Sequence, residues 1–400
     1  DAARGRSRAD WLVGMNLSRA YSLVLDQDIS VGRVQTPTLA MLVERELAIR
    51  DFVPEDYLEV VARFEPTGAP QHTYEGTWFR PPAPGQKPDE EYQHKRKRLP
   101  ADGLEAAEIV ARARAGQAAI ESIKAETRKI PAPLLYDLTE LQRHANRLYG
   151  LSAQKTLDVA QSLYERHKLI SYPRTDSRHL STAVAATLGA VVAAVAGRYP
   201  GLLAPGTGQD PLGRRFVDDA RVSDHHAILP TATPAREGAL AADEQKIYDL
   251  ICRRFLEAWH EDHVYSATTV ITAISTGEII DRYESRGTAV ENLGWKVLEV
   301  GGGKQPAKPK TKKSETNKSD RADEPDDQAL PPGLVRGQPQ TVKKATAVPK
   351  QTRPPPRHSE GTLLTAMETA GRTLEEKELS AAMRDLGLGT PATRAQIIET

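Results

Sequence analysis

Strand patterns on either side of a long helical stretch restrict the possible folds of this chain more than any other feature. Residues 57–64 alternate apolar and polar side chains, and a second strand signal covers residues 264–274. Residues 133–260, which lie between them, show mainly helical spacing. A β-rich domain interrupted by an inserted helical domain is the simplest arrangement. The sequence therefore predicts a multidomain α+β protein.

Composition shifts give the domain boundaries. The chain has 400 residues, which suggests about two to four domains. We expect a first helical part (residues 1–56), a β-rich part (57–132) and a second helical part (133–260). After these we expect a return to the β-rich part (261–300), a flexible linker or insert (301–329), and strand-like pieces followed by helices (330–400). The linker is rich in lysine and then in aspartate, and no rigid element would hold its carboxylates around a metal.

Helical periodicity and capping residues predict the individual elements. Thr36, Ser152 and Ser181 are expected N-caps, and Pro37 would occupy the first helical position after Thr36. Residues 294–300 give a further strand signal. The predicted helices cover residues 9–25, 36–50, 103–115, 137–149, 153–167, 182–196, 362–370 and 391–400.

Charge and cysteine content exclude several protein classes. With 54 basic and 54 acidic residues the formal net charge is zero, so a strongly basic nucleic-acid coat is excluded, although local basic patches are not. The single cysteine, Cys252, can form neither an internal disulfide nor a cysteine-rich zinc site. We expect a soluble cytoplasmic protein. Because the chain starts at Asp1 and stops at Thr400 within a helical pattern, we also expect it to be a piece of a longer polypeptide.

A basic run lies in the proline-rich stretch 81–100. Lys95, Arg96, Lys97 and Arg98 are consecutive, and the surrounding prolines favour a surface loop with a basic tip. Such a run is more often solvated than bound to a nucleic acid. Both interpretations remain open from the sequence.

The most informative segment surrounds Tyr172. A short apolar strand precedes it, and Pro173 favours an extended backbone that places Tyr172 and Arg174 on the same side. A tyrosine hydroxyl needs a neighbouring cation to act as a nucleophile at neutral pH, and arginine matches a phosphate through two parallel hydrogen bonds. The pair suits attack on a phosphodiester. A tyrosine in this setting is nevertheless more often a packed residue.

Two further groups strengthen the functional interpretation. Gln161 and Glu165 are four residues apart on the preceding helix and therefore share one face. In the block 224–231, Asp224 precedes His225, which could donate to a phosphate oxygen while Asp224 sets its tautomer. The alternative for Gln161 and Glu165 is a solvated helix face without a function, and the alternative for the block 224–231 is a capped turn.

Five blocks in order resemble the type IA DNA topoisomerases, closest to the topoisomerase III branch. They are residues 9–16 with Arg19 and Ala20, 29–37, 169–177, 224–231 and 387–395. The resemblance implies a toroidal core of a β-rich arch and winged-helix-like helical domains. It places the family's Toprim domain before Asp1, outside this chain.

The resemblance also assigns roles to particular residues. It implies that Tyr172 cleaves single-stranded DNA through a transient 5′-phosphotyrosyl link, with Arg174, His225 and Glu165 as the other catalytic positions. Another strand then passes and the break is resealed, which relaxes negative supercoils or decatenates DNA. The positions it assigns to the DNA strand are Arg6, Asp10, Ser30, Arg33, Gln35, Gln161, Thr362, Thr390 and Thr393.

The resemblance further implies cofactors and partners. Magnesium would be held by the Toprim domain, and no metal site is expected in this chain. The sequence contains no Gly-x-x-x-x-Gly-Lys-Ser/Thr pattern for ATP, and transesterification to tyrosine needs none. Single-stranded DNA is the expected partner, with a helicase or single-strand-binding protein as a further candidate. A monomer in the cytoplasm, associated with the nucleoid, is expected.

Two other interpretations remain. His144 and Arg147 fit the His-x-x-Arg pattern of a tyrosine recombinase. That class also needs a second histidine in a turn shortly before the tyrosine, whereas His167 lies at a charged helix end. The other interpretation is a non-catalytic module that binds single-stranded DNA and in which Tyr172 has no chemical role. A recombinase would become attached to the 3′ end of the broken DNA and a type IA topoisomerase to the 5′ end. Tyr172→Phe would leave a binding module unchanged but would inactivate the topoisomerase.

Overall fold

A computed structural model describes most of the chain. The described residues are 2–67, 72–82, 85, 89–236, 238–301, 328–372 and 387–400, without the side chains of residues 2, 3, 6 and 94. Most of the predicted linker 301–329 lies outside the described residues, as does the side chain of Arg6. The fold class predicted from the sequence is confirmed, because an antiparallel sheet is combined with helices.

Seven antiparallel strands form the sheet in the described part of the chain. Their order is β2-β6-β5-β4-β7-β1-β3, and β1 also pairs with β2, so that the six long strands close into a ring. The short β3 extends the edge of β1. The strands are β1 (Asp56–Pro66), β2 (Tyr74–Phe79), β3 (Leu99–Pro100), β4 (Gln117–Ile130), β5 (His263–Thr276), β6 (Ile279–Asn292) and β7 (Pro339–Gln351).

Helices occupy the remaining described elements. A six-residue π-helix, Asp10–Met15, joins the first two α-helices. The α-helices are α1 (Ala2–Ala9), α2 (Asn16–Leu25), α3 (Gln35–Arg50), α4 (Glu90–Lys95), α5 (Leu104–Ala115), α6 (Leu138–Tyr149), α7 (Ala153–Glu165), α8 (Thr182–Ala185), α9 (Leu188–Val195), α10 (Ala242–Leu256), α11 (Glu360–Glu368) and α12 (Pro391–Glu399). Within the described ranges, none of them is long and apolar enough to cross a membrane.

The ring of strands has its own core. Phe64 on β1 lies 5.4 Å from the ring of Tyr74 and 5.6 Å from that of Tyr283, measured between centroids, and all three are fully buried. Gly76 permits this packing, because a Cβ there would lie 2.8 Å from Ser285 Oγ. Burying such large rings removes much apolar area from water and stabilises the closed sheet.

A second core joins α6, α7 and α10, which lie between β4 and β5 along the chain. Leu141, Leu163 and Phe255 are completely buried there. Asp137 and Ser152 cap α6 and α7 by accepting hydrogen bonds from Glu140 N–H (2.7 Å) and Lys155 N–H (3.1 Å). The helices predicted over 137–149 and 153–167 are therefore confirmed.

Several local predictions are wrong. Thr36 is not an N-cap; its hydroxyl accepts from Gly32 N–H, and α3 already begins at Gln35. Residues 294–298 form a 3-10 helix rather than a strand, because Gly294 has a positive φ of 50°. The helix predicted over 182–196 is broken between α8 and α9. The region after Leu330 contains one long strand, β7, rather than short pieces.

The basic run is not a solvated loop tip. Glu284, only 5% exposed, pairs with Arg96 and Lys97 at 2.8 Å each. Arg98 lies 4.9 Å from the ring of Tyr57, and Lys95 pairs with Glu91 within α4. Arg96, Lys97 and Arg98 are thus engaged by the sheet-forming part of the protein, whereas Lys95 is exposed and pairs within its own helix. These contacts do not favour the interpretation of the run as a nucleic-acid contact.

The N-terminal helices expose apolar side chains. Trp11, Leu12 and Met15 are 64%, 56% and 61% exposed, although their helical spacing is typical of a buried face. The predicted helix 9–25 is confirmed as the π-helix followed by α2.

Candidate active site

Two short segments bring the residues around Tyr172 together. Residues 169–171 run beside residues 228–231, with Ser171 N–H donating to Leu229 O (2.8 Å) and Thr231 N–H to Leu169 O (2.9 Å). The pairing places the loop that contains His225 next to Tyr172. The apolar residues that predicted a strand here, Leu169 and Ile170, are buried.

The ring of Tyr172 lies between two other rings. His225 has its ring centroid 4.4 Å away at an interplanar angle of 42°, and Tyr164 packs edge-on at 5.6 Å. Tyr172 is half-buried, whereas His225 is exposed. The tyrosine is therefore held on two sides and still reaches solvent.

Arg174 is held by the helix before the strand. Its Nη2 donates to Gln161 Oε1 (2.9 Å), and Gln161 Nε2 donates to Glu165 Oε1 (2.8 Å). The three side chains form one hydrogen-bonded line from the tyrosine segment to α7. Four of the residues that the sequence singled out, Tyr172, Arg174, Gln161 and Glu165, thus meet at one place.

Tyr164 is a member of this site that the sequence analysis missed. It lies three residues after Gln161 and one before Glu165, so the three share one face of α7. The helical period itself was the available signal. The period that relates Gln161 to Glu165 also places Tyr164, the aromatic residue between them, on the same face.

The backbone, rather than Asp224, fixes the position of His225. Thr175 Oγ1 donates to His225 O (3.1 Å), while no hydrogen bond joins the Asp224 carboxylate to the His225 ring within the described part of the chain. The expected control of its tautomer by Asp224 is therefore not seen. Asp224 is exposed.

The residues of the recombinase pattern lie elsewhere. His144 Nδ1 hydrogen-bonds Tyr136 Oη, and the Arg254 guanidinium lies 4.2 Å from the Tyr136 ring. Burial lowers the pKa of His144 to about 3, and the charges of Arg254 and Arg147 act in the same direction. A neutral histidine bonded into the core is a structural group, which disfavours the recombinase interpretation.

A second group of predicted residues surrounds the loop before α3. Arg33 pairs with Asp10 at 2.8 Å, and Gln35 Nε2 donates to Ser30 Oγ at 2.9 Å. Ser18 on α2 accepts from Val31 N–H (2.8 Å) and thereby fixes the loop on the helix. The loop presents a guanidinium, an amide and a hydroxyl on one surface.

The start of α12 adjoins this loop. Gly389 has a φ of 68°, and a Cβ there would lie 3.3 Å from both Val34 Cγ1 and Thr393 Oγ1. Thr393 Oγ1 accepts from Thr390 N–H (3.0 Å) and lies 3.1 Å from Thr390 Oγ1. Thr390 and Thr393 therefore belong to the same surface as Arg33, and both help to cap their own helix.

Thr362 and Arg6 are less closely tied to that surface. Thr362 lies in the first turn of α11, where its N–H donates to Ser359 Oγ (3.2 Å) and its hydroxyl lies 3.3 Å from His358 Nδ1. Arg6 lies on α1, but its side chain is outside the described part of the structure.

Helix α7 connects the two surfaces. At its first residue, Ala153 N–H donates to Glu360 Oε2 on α11 (2.6 Å), and Ala153 packs with Leu364 and Ala395 of α11 and α12. Gln161 follows eight residues later, which corresponds to about 12 Å along the helix. One rigid element therefore sets the distance between the Tyr172 cluster and the helices beside the Arg33 loop.

The described side chains provide no metal site. No group of three or more His, Cys, Asp or Glu residues in the described ranges is arranged to hold a metal ion. Asp176 and Asp224, the acidic residues nearest in sequence to Tyr172 and His225, are both exposed.

The sequence profile of the family described as DNA topoisomerase matches residues 1–400, and the chain belongs to this family. Its sequence resembles DNA topoisomerase 3 of Shouchella clausii (36% identity over 407 residues), of Bacillus subtilis (36% over 406) and of Vibrio cholerae (34% over 410). Each match covers the whole chain but only 50%, 50% and 58% of the relative, so the chain spans about half the length of the curated relatives it matches.

A solved structure gives the same fold. The full-length topoisomerase I of Thermotoga maritima superposes with a TM-score of 0.65 at 23% identity, over 100% of this chain and 55% of that one. The resemblance inferred from the five sequence blocks is thus confirmed for family and fold class.

Proposed function

We propose that this chain carries the tyrosine part of the cleavage site of an ATP-independent type IA DNA topoisomerase. The observation that carries the proposal is that the segment with Tyr172 and Arg174 meets two others, α7 with the Gln161–Glu165 pair and the loop with His225. Reaction at a phosphodiester needs a nucleophile, a cation for the phosphoryl charge and an open approach. This cluster has all three.

The family resemblance implies the course of the reaction at these groups. Tyr172 Oη attacks the phosphorus of a single DNA strand, forms the O–P bond and loses its proton, while the bond to the 3′ oxygen breaks and that oxygen takes up a proton. The products are a 5′-phosphotyrosyl link and a free 3′ hydroxyl. Because one phosphodiester replaces another, the reverse reaction reseals the strand without ATP.

Particular side chains serve particular steps. The Arg174 guanidinium, oriented by Gln161, stabilises the charge that develops on the phosphoryl oxygens. His225 lies beside the ring of Tyr172 and can donate to a phosphate oxygen. Glu165 fixes the amide of Gln161 and thereby the whole line.

The second surface suits the single strand that is cleaved. Arg33 and Gln35, with Ser30 and the hydroxyls of Thr390 and Thr393, are phosphate and sugar binders of the kind that position a strand without reading its sequence. Asp10 orients Arg33. We propose Arg6 and Thr362 as further contacts of the same strand.

The proposed function also concerns which part of the protein would hold magnesium. The described residues do not offer a metal site, so no step of the reaction is assigned to a metal held by this chain. The resemblance places the magnesium ligands in a Toprim domain. We therefore propose that the chain by itself binds single-stranded DNA and cleaves it poorly, and that a helicase or single-strand-binding protein is a candidate partner of the whole protein.

Trapping the covalent adduct tests the proposal. In the complete protein, an oligonucleotide labelled on the 3′ side of the cleaved bond should become attached to Tyr172, and peptide sequencing should find the label there. Tyr172→Phe should abolish adduct formation and relaxation while single-stranded DNA binding is retained. Tyr164→Phe keeps the neighbouring ring and should retain the adduct.

The mapping of the DNA end completes the test. Attachment through the 5′ phosphate supports the proposal, whereas a 3′-phosphotyrosine would support the recombinase chemistry. Unchanged relaxation by Tyr172→Phe would support a non-catalytic binding module and overturn the assignment.

A further inference from the structure

Lys168 has a backbone conformation that its residue type disfavours. Its φ is +56°, and among the described non-glycine residues only Asp26 shares a positive φ. A side chain with a Cβ is strained in this region, which is why glycine usually occupies the position after a helix. Lys168 lies three residues after Glu165, the last residue of α7, in the turn where Leu169 N–H donates to Leu163 O (2.9 Å). A strained lysine in place of glycine suggests a function for its side chain.

The side chain lies next to the face of α7 that forms the active site. Gln161, Tyr164 and Glu165 share one face of α7, whereas Lys168 lies beyond the end of the helix at Glu165, and its positive φ takes it out of the helical path. Lys168 Nζ lies 5.6 Å from the ring centroid of Tyr164, the same ring that packs edge-on against Tyr172. The ammonium is thus one ring away from the nucleophile.

The opposite strand fixes the backbone of Lys168. Thr231 Oγ1 donates to Lys168 O (2.7 Å), and Thr231 belongs to the segment that also contains His225. The position of the lysine is therefore set by the same two segments that enclose Tyr172.

The charge of Lys168 is available to a ligand. The residue is exposed, and within the described part of the chain it forms no ion pair with an acidic side chain. Glu165, three residues earlier, bonds Gln161 instead. Arg174 is likewise exposed at the other side of the Gln161 amide.

We propose that Lys168 binds a backbone phosphate of the single strand that lies across Tyr172, next to the phosphate that Arg174 contacts. The inference rests on the proposed function, since it takes the strand at Tyr172 to be DNA. An ammonium suits this task as a point charge that tolerates any sugar or base. Together with Arg174, this second cation would keep the strand in register for attack.

A purely structural role of Lys168 would affect the stability of the chain rather than its DNA binding. A lysine at the end of a helix also favours the negative end of the helix dipole, which affects stability rather than DNA binding. Lys168→Gly removes the cation and relieves the positive φ, so the variant should melt no lower than the unsubstituted chain. Lys168→Arg keeps the charge.

The salt dependence of binding tests the proposal on the 400-residue chain. The probe is a single-stranded oligothymidylate, and the slope of log K against log salt concentration is measured. Lys168→Gly should reduce the magnitude of this slope by about 0.7, the value for one phosphate of a single strand. Lys168→Arg and Lys343→Ala, a control on β7 that pairs with Glu65, should leave it unchanged.

The outcomes separate the two proposals. If the chain binds the oligonucleotide and the complete protein forms the Tyr172 adduct, but Lys168→Gly has the slope of the unsubstituted chain, the role of Lys168 is overturned and the proposed function stands. Absence of the Tyr172 adduct in the complete protein would instead overturn the proposed function.

Discussion

Gln161 accepts a hydrogen bond from Arg174 with its amide oxygen, at 2.9 Å, and donates one to Glu165 with its amide nitrogen, at 2.8 Å. Each end of the amide has a partner that only that end can satisfy, so the carboxylate sets which way the amide points. As a result, the carbonyl oxygen of Gln161, and not its NH2 group, faces the Arg174 guanidinium. The orientation of the arginine therefore depends on a residue eleven positions before Tyr172.

Gln161→Leu should slow strand cleavage by the complete protein about 10-fold. The substitution keeps the bulk of the side chain and leaves Arg174 without its acceptor, and hydrogen bonds to charged groups contribute about 1.5–3 kcal/mol. Single-turnover cleavage of an oligonucleotide measures the effect.

Gln154 offers a matched control on the same helix. It donates to Asp158 Oδ1 at 2.7 Å in the same i, i+4 arrangement but far from Arg174. Gln154→Leu should cleave at the normal rate. Equal rates for both variants would show that the Gln161 amide does not act on Arg174.

His225→Ala and His225→Phe should differ in cleavage rate. Phenylalanine retains a ring against Tyr172 but no hydrogen-bond donor, so we expect a loss of about 10-fold. Alanine also removes the ring, and aromatic pairs contribute about 0.5–1.5 kcal/mol, so a further loss of up to about 10-fold is expected. Single-turnover rates, measured with His226→Ala as the neighbouring control, check both. A normal rate for His225→Phe would exclude the donor role.

Gly389→Ala should weaken binding of single-stranded DNA, whereas Gly150→Ala should not. Both glycines have positive φ, 68° and 65°, so each substitution should cost on the order of 1 kcal/mol in stability. Only at Gly389 is there crowding, because the new Cβ would meet Val34 and Thr393. Fluorescence anisotropy with a labelled oligonucleotide measures the difference. Equal affinities for the two variants would remove this turn from the proposed DNA surface.

Short-range signals account for what the sequence predicted well. Ser152 and Ser181, both predicted N-caps, each accept a hydrogen bond from an N–H three residues ahead, which a local pattern specifies fully. Gln161 and Glu165 were found by the same local spacing. Predictions of this kind need no knowledge of the rest of the chain.

Long-range contacts account for what was missed. The basic run at residues 95–98 depends on Glu284, which is 188 positions after Arg96 and gives no local sign of pairing. Gly294 has neighbours from another segment, the carbonyls of Glu261 and Asp262, and these override the strand propensity of residues 294–298. Lys168 gives no local sign in the sequence, because its distinctive feature is a positive φ and not its residue type.

Glu284→Gln should destabilise the sheet at neutral pH but hardly at low pH. Burial alone would raise the pKa of Glu284, but hydrogen bonds and charges from Lys97 and Arg96 outweigh it and lower the pKa to about 2. A carboxylate with a lowered pKa stabilises the folded state above its unfolded pKa, near 4.3, and this contribution disappears as the pH falls through the folded value. The expected loss in the variant is on the order of 3 kcal/mol at pH 7. It should shrink between about pH 4.5 and pH 2.

Hydrogen exchange of the amides of β2 and β6 measures this loss locally, without assuming that the whole chain unfolds in one step. Glu75→Gln is the matched control, since its 2.7 Å pair with Arg63 lies on the same sheet but is about half exposed. An exposed pair contributes less than about 1 kcal/mol, so this variant should exchange almost as slowly as the unsubstituted chain. A loss for Glu284→Gln that persists undiminished at pH 2 would mean that its charge is not what holds Arg96 and Lys97 against the sheet.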